Sequence, residues 1–356
     1  MKKFLISIII VTAFIVTISC SGGKKSGGYE LALITDVGTI DDRSFNQGAW
    51  EGLTQYAQEK GISHKYYQPT QKTTDAYVDA IDLAVAAGAK LVVTPGFLFE
   101  PAVYRAQDTH PNVAFVLLDG TPQDGTYTDF RIETNVYSVL YAEEQAGFLA
   151  GYAAIKEGYT NLGVMAGMAV PAVIRFGYGF VQGANYAAKE ISSGSVKINY
   201  TYIGNFNATP ENQTLATSWY QSGVQVIFAP AGGAGNSVMS AAEQNNALAI
   251  GVDIDQSAES DTVITSAMKM LGESVYNAID DFYNGKFPGG KSVVLDAKVN
   301  GIGLPMKTSR FKKFTQADYD AIYQRLVSGE IKVLTDKDAK DVNQLPLDTV
   351  KVNFIQ

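Results

Sequence analysis

Short apolar runs alternate with longer segments of helical spacing along almost the whole chain. Runs of about four to eight apolar residues bounded by polar ones mark buried strands, and apolar residues three and four apart mark a helix face. The first half reads as strands at 31–35, 63–67, 91–94 and 113–118, with helices at 45–60, 76–87 and 101–109. An apolar, small-residue helix at 143–155 follows, and the pattern restarts. Strands are expected at 162–165, 196–203, 226–229 and 248–252, and helices at 177–190, 210–222 and 237–245. A strand-like run leads to Lys269 and a long helix at 271–283; after Gly285 come a strand pair with loops and a helix at 316–326. Such β-α alternation calls for α/β architecture, a doubly wound parallel sheet with helices on both faces.

The second half repeats the first. GAKLVVTPGFLFEPAVYRAQDTHPNVAFVLLDG, 88–120, lies beside GVQVIFAPAGGAGNSVMSAAEQNNALAIGVDID, 223–255, with Pro95 facing Pro230 and Asp119 facing Asp253. Phe45, Gly48 and Gly52 match Phe176, Gly179 and Gly183 in the same way. A shared order of strand, loop and helix with shared glycines implies two lobes of like topology. The expected division is 29–147 plus 267–300 for the N-terminal lobe and 148–266 plus 301–356 for the C-terminal lobe.

In open α/β sheets, ligands bind in the crevice outside the carboxyl ends of the strands. The loop after the first strand carries Asp36, Asp41, Asp42, Ser44 and Asn46 around Phe45. Helix capping alone accounts for some of these polar residues, Asp42 and Ser44 especially. Phe45, a large aromatic among them, points to a ligand. If both lobes present their strand ends to one crevice, Phe45 and Phe176 reach it from opposite walls, as stacking on a flat heterocycle requires. Asp119 and Asp253 end strands in the two lobes, where carboxylates accept from ligand hydroxyl or N–H groups or cap a helix. Lys269 enters the same cleft, able to pair with a carboxylate and donate to a ligand oxygen. Gly232 and Gly233 permit close backbone approach. AGGAGNS lacks the Lys and Ser/Thr of a phosphate loop. Phe206 is a second candidate for the far wall, and Phe97 and Phe99 for the floor.

The chain has 356 residues, of which 46% are hydrophobic and 18% charged, fitting two packed domains. A net charge of -8 without a basic stripe argues against nucleic acid as a partner. One cysteine and two separated histidines, His64 and His110, give neither a disulfide framework nor a zinc-type ligand set. Lys2 and Lys3 precede an apolar run, 4–18, that ends at Ser19 and Cys20, the shape of a bacterial lipoprotein signal over 1–20. Thr17 stands where that signal usually has Leu. SGGKKSGG, 21–28, is composed as a flexible tether. The globular part is thus expected outside the cytoplasmic membrane, held there by a lipid on Cys20 and facing the periplasm or the exterior.

Together, Cys20, DVGTIDDRSFNQGAWEGL, VLLDG, FGYGFVQGA, YIGNF, VIFAPAGGAGNSV, AIGVDIDQ and TSAMK resemble the basic membrane protein (BMP) family of bacterial lipoproteins. Within it they are similar to the purine nucleoside receptors that serve ABC importers. The resemblance covers nearly all the mature chain and implies the type I periplasmic-binding-protein fold, two doubly wound lobes joined by crossover hinges. It also implies a monomer without cofactor or catalysis that passes guanosine, adenosine or inosine to ABC permease and ATPase subunits. Carried residue by residue, it implies a base between Phe45 and a second phenylalanine, Phe176 by the internal repeat or Phe206 by its motif. Asp36, Asn46 and Asp119 then lie near the base, and Asp253 and Lys269 near the ribose. The family also includes binders of other flat ligands, for which riboflavin is the alternative here, and surface antigens or adhesins. A nucleosidase would need a water-activating group, with no metal-ligand cluster in view. A repressor of this fold would need a DNA-binding segment where the export signal stands.

Overall fold

A computed structural model describes residues 28–36, 38–192 and 194–355. Cys20, the export signal and residues 21–27 of the tether lie outside the described residues. In chain order the elements are β1 (Leu31–Ile34), α1 (Phe45–Lys60), β2 (His64–Tyr67), α2 (Thr74–Ala86), β3 (Leu91–Pro95), α3 (Glu100–Thr109), β4 (Ala114–Leu118) and β5 (Val136–Tyr141). Then follow α4 (Glu143–Glu157), β6 (Asn161–Ala166), α5 (Pro171–Glu190), β7 (Val196–Tyr202), α6 (Pro210–Gln221), β8 (Val226–Phe228), α7 (Gly235–Asn245), β9 (Leu248–Asp253) and β10 (Val263–Lys269). The chain closes with α8 (Leu271–Tyr283), β11 (Lys291–Leu295), β12 (Ile302–Gly303), α9 (Gln316–Val327) and β13 (Val350–Phe354).

The strands form two sheets, β11-β5-β4-β3-β1-β2 and β12-β10-β9-β8-β6-β7-β13. Every pairing is parallel except β10 with the two-residue β12. Strands β1, β3 and β4 are buried at every position, because helices cover both faces of their sheet. One face of the first sheet packs under α2 and α3, where Tyr77, Ile81, Phe99 and Val103 join Phe115 and Leu117. The opposite face and its counterpart in the second sheet belong to a core containing Leu53 and Tyr56 of α1 and Phe176 and Phe180 of α5.

The chain passes between the sheets three times. β5 of the first sheet leads through Ala142 into α4, which lies along α5; β10 of the second leads through Met270 into α8, which lies along α1. The segment after β11 returns to β12. The third changeover contains the expected boundary at 300/301, whereas the first two lie a few residues from the expected ones. A division at 147/148 would cut α4, and one at 266/267 would cut β10, which pairs with β9 to Met268.

Three of the four matched glycines share a physical reason, while Gly48 makes room for the side chains of Ile254 and Leu271. A Cβ on Gly52 would overlap the carbonyl oxygen of Gly272 in α8, and Cβ atoms on Gly179 and Gly183 would overlap those of Glu144 and Phe148 in α4. Each lobe therefore brings two helix backbones together at small residues, and the glycine part of the internal repeat is a repeat of this helix pair. Helix α5 begins at Pro171, earlier than the expected 177, because proline is well suited to the first helical turn and Gly177 lies within the helix. Two strands, β5 and β13, lie outside the expected set.

Candidate functional site

The carboxyl ends of both sheets border one cleft of about 450 Å³. Its walls include all nine residues singled out in the sequence: Asp36, Phe45, Asn46 and Asp119 from the first lobe, Phe176, Phe206, Gly232 and Asp253 from the second, and Lys269 beside a crossover.

The β1–α1 loop is organised by Asp42. Its Oδ1 accepts from the backbone N–H groups of Ser44 and Gln47, at 2.9 and 3.1 Å. Its Oδ2 accepts from the Asn46 backbone N–H at 3.1 Å and from Asn46 Nδ2 at 3.0 Å. Burial raises this carboxyl to about 6, against the pull of those donors. Asp36 Oδ1 takes the other Asn46 amide contact at 3.1 Å and the Gly38 N–H at 2.8 Å. With Nδ2 held by two carboxylates, Asn46 Oδ1 is left buried and without a protein donor.

Ser44 stands at the helix N-cap position yet makes no side-chain cap. Its hydroxyl instead crosses to the other lobe and donates to Asp253 Oδ2 at 2.6 Å. Nearby, Gln256 Nε2 donates to the Arg43 carbonyl at 2.6 Å, and Arg43 pairs with Glu259 at 2.8 Å. The two lobes are thus joined at the cleft rim.

Asp119 and Asp253 follow the last residues of β4 and end β9 in left-handed backbone conformation, with φ of 54 and 67°. Aspartate tolerates this region better than most side chains, and the turn carries both carboxylates toward Lys269. The ammonium lies 2.6 Å from Asp119 Oδ2 and 3.3 Å from Asp253 Oδ1. It also lies over the ring of Phe45 at 4.3 Å from the centroid, with Phe176 and Tyr141 farther away. Burial opposes the lysine's charge, but Asp119, Asp253 and Glu143 outweigh it and hold the amine protonated well above its usual range. Burial moves Asp119 the other way, up from the usual carboxylate range, with Lys269 restraining the rise.

The three phenylalanines differ in what they offer a ligand. Phe45 and Phe206 are half-buried, each with ring surface open to the cleft. Phe176 is only 2% exposed and meets Phe228 edge-on, ring centroids 6.1 Å apart. Phe206 is seated against Gly167, where a Cβ would overlap its ring, and beside Gly232, whose φ of +54° suits glycine. Phe97 borders the cleft, but Phe99 does not: it is fully buried against Tyr77, centroids 4.6 Å apart, because the short turn leading into α3 directs it into the core under α2 and α3. Sequence reasoning missed Tyr141 and Glu143 at the first crossover, as well as the apolar wall 170–173.

The Bmp family, described as ABC transporter substrate-binding protein PnrA-like, matches residues 29–337. The chain belongs to this family. Being PnrA-like, it is a substrate-binding protein of ABC transporters and not an enzyme, as its motifs implied. It is 33% identical to the ABC transporter nucleoside-binding protein BmpA of Lactococcus lactis, with 83% of this chain and 87% of that protein covered. It is 27% identical to basic membrane protein A2 of Borrelia garinii, covering 95% and 98%. Among solved structures, an ABC transporter solute-binding protein from Aeropyrum pernix superposes with a TM-score of 0.74 at 26% identity, covering 88% of this chain and 95% of that one. The lac repressor, 12% identical with a TM-score of 0.54 over 82% and 83%, shares the fold. The family and the basic membrane proteins point to an extracytoplasmic location. Among the described residues, no helix is long and apolar enough to cross a membrane.

Proposed function

We propose that this PnrA-like protein captures purine nucleosides between its lobes, with the base stacked between Phe45 and Phe206. The observation that carries the reading is one half-buried phenylalanine from each lobe in a single cleft, beside an amide oxygen that lacks a donor. Stacking supplies affinity with little regard to base identity. Asn46 Oδ1 supplies selectivity, because a buried acceptor favours a ligand that brings an N–H to it. Asp36 and Asp119 complete the base side; Asp253 and Lys269 receive the ribose hydroxyls. Ligand contacts to both lobes favour the closed form and shift the population toward it.

Replacing Asn46 with leucine should change the ranking among guanosine, inosine and adenosine, weakening by about tenfold, the scale of one buried hydrogen bond, those whose N–H reaches Oδ1 and leaving the others less affected. Calorimetric titration measures it; affinities equal to the wild type's would remove Asn46 from base recognition.

The protein is held at the membrane by a lipid on Cys20 and delivers its ligand to permease and ATPase subunits as a monomer. The signal-shaped N-terminus and the 21–28 tether support this. Labelling of producing cells with a radioactive fatty acid should mark the wild-type protein and leave Cys20→Ser unmarked. Equal labelling of both would refute the anchor.

A further inference from the structure

Around Lys269 the buried charges do not balance. Asp119, Asp253 and Glu143 all lie within reach of one ammonium, at 2.6, 3.3 and 4.0 Å. The two aspartates are served: Asp119 accepts a hydrogen bond from Lys269, and Asp253 accepts the Ser44 hydroxyl. Glu143 is not. It is 1% exposed, its Oε1 stands beyond hydrogen-bond distance of Lys269, and its Oε2 has no hydrogen-bond partner. The other nearby cation, Arg175, is 3.6 Å away and donates from Nε to Asp336 at 2.7 Å. A buried carboxylate without donors is costly, whereas the protonated acid needs only an acceptor. Asp119 Oδ1, also buried and without a partner, is such an acceptor.

We infer that Glu143 is a positioning residue of the ligand site: a neutral carboxylic acid whose proton is donated to Asp119, fixing the Asp119–Lys269 pair and linking nucleoside affinity to proton uptake. The linkage rests on the nucleoside reading above; the protonation does not. The balance of the surroundings favours the neutral acid. Burial pushes Glu143 well above the usual carboxylate range, the charge of Asp119 adds to this, Lys269 and Arg175 oppose it, and Glu144 on the same helix raises it further. Hydrogen bonding to Glu143 in turn favours the charged form of Asp119. Position gives the proton its leverage. Glu143 is the first residue of α4 after the Ala142 crossover, and Lys269 is the last of β10 before the Met270 crossover. Loss of the proton would set a second negative charge beside Asp119 where the chain passes between lobes. Affinity is therefore full while Glu143 is protonated and falls as pH rises through its pKa, approaching tenfold per pH unit.

Infrared difference spectra of the ligand-free wild type and Glu143→Gln at neutral pH test the proton itself. A protonated-carboxyl band present in the wild type and absent from the variant is expected; no such band overturns the inference, whether or not nucleosides bind. Titration with adenosine, which does not ionise near neutrality, tests the linkage. Run upward from pH 6 in buffers of different ionisation enthalpy, it should show in the wild type no uptake while the ligand-free acid is protonated, then proton uptake and a falling affinity as pH rises above its pKa, and in Glu143→Gln a flattened profile without uptake. Glu143→Leu, which cannot donate, should bind about tenfold more weakly across the range, the scale of one lost buried donor. Identical pH profiles in wild type and Glu143→Gln would overturn the linkage. Absence of adenosine and guanosine binding to the wild type would overturn the nucleoside reading and with it the linkage, while the infrared band decides the protonation separately.

Discussion

Lys269→Met should lower nucleoside affinity by a hundredfold or more. The ammonium touches Asp119 at 2.6 Å and Asp253 at 3.3 Å, and its side chain is almost entirely buried. Removing one partner of a buried ion pair costs about 3–5 kcal/mol, because the other charge is left uncompensated. At about 1.4 kcal/mol per decade, this corresponds to roughly two to three and a half orders of magnitude in affinity if the closed cleft bears the cost. Part of it should fall on the fold, since Asp119 and Asp253 remain in a water-poor site without the ligand. Both affinity by titration and the thermal midpoint of the ligand-free protein should therefore drop. Lys269→Arg should not restore binding, because the larger planar guanidinium replaces a compact charge seated over the Phe45 ring. Wild-type affinity in Lys269→Met would show that the ligand does not depend on the cluster.

Phe45→Ala combined with Phe206→Ala should give the second large effect. Each stacking contact is worth about 1–3 kcal/mol by alanine substitution, so the pair should cost at least about thirtyfold and up to roughly twenty-thousandfold. The loss should be similar for guanosine, adenosine and inosine, since every base offers a π face. This separates the rings from Asn46, whose loss removes a single acceptor. Phe176→Leu is the internal control. That ring is almost fully buried and packs edge-on against Phe228, so its truncation should affect stability more than affinity. If Phe176→Leu weakens binding as much as Phe206→Ala, the second stacking ring is Phe176.

Much of this arrangement was legible in the chain, and the places where it was not share a physical reason. Strands buried on both faces announce themselves as apolar runs, and the Phe-Gly-Gly spacing of α1 and α5 marked the repeat before any packing was visible. Periodicity and repetition describe backbone, however, and not which ring remains open. Phe176 is the repeat partner of Phe45, yet α5 is covered by α4 along its glycines, and the ring is buried; Phe206, on the β7–α6 loop outside the matched segments, keeps its face to the cleft. Ser44 has the composition of a cap, but Asp42 satisfies the first N–H groups of α1 and leaves the serine hydroxyl for Asp253. Glu143 was hidden because an acidic residue at a helix start is ordinary helix chemistry. Only the crossover, which carries it under Lys269, gives it another role. β5 and β13 escaped notice because other residues interrupt the apolar run: β5 carries the half-buried Tyr137 and the buried but polar Ser138, and β13 alternates exposed lysine and asparagine with apolar residues.

The central claim is that a purine nucleoside is held by both lobes, base between two rings and ribose on the carboxylate–lysine cluster. The most direct measurement is calorimetric titration of the purified protein, freed of any co-purifying ligand, with nucleosides, free bases, ribose and riboflavin. Binding of purine nucleosides at micromolar or tighter dissociation constants, about -8 kcal/mol or beyond, with ribose and free bases far weaker, is the predicted result. Tight binding of riboflavin or ribose in place of nucleosides, or no binding of any of them, would contradict it.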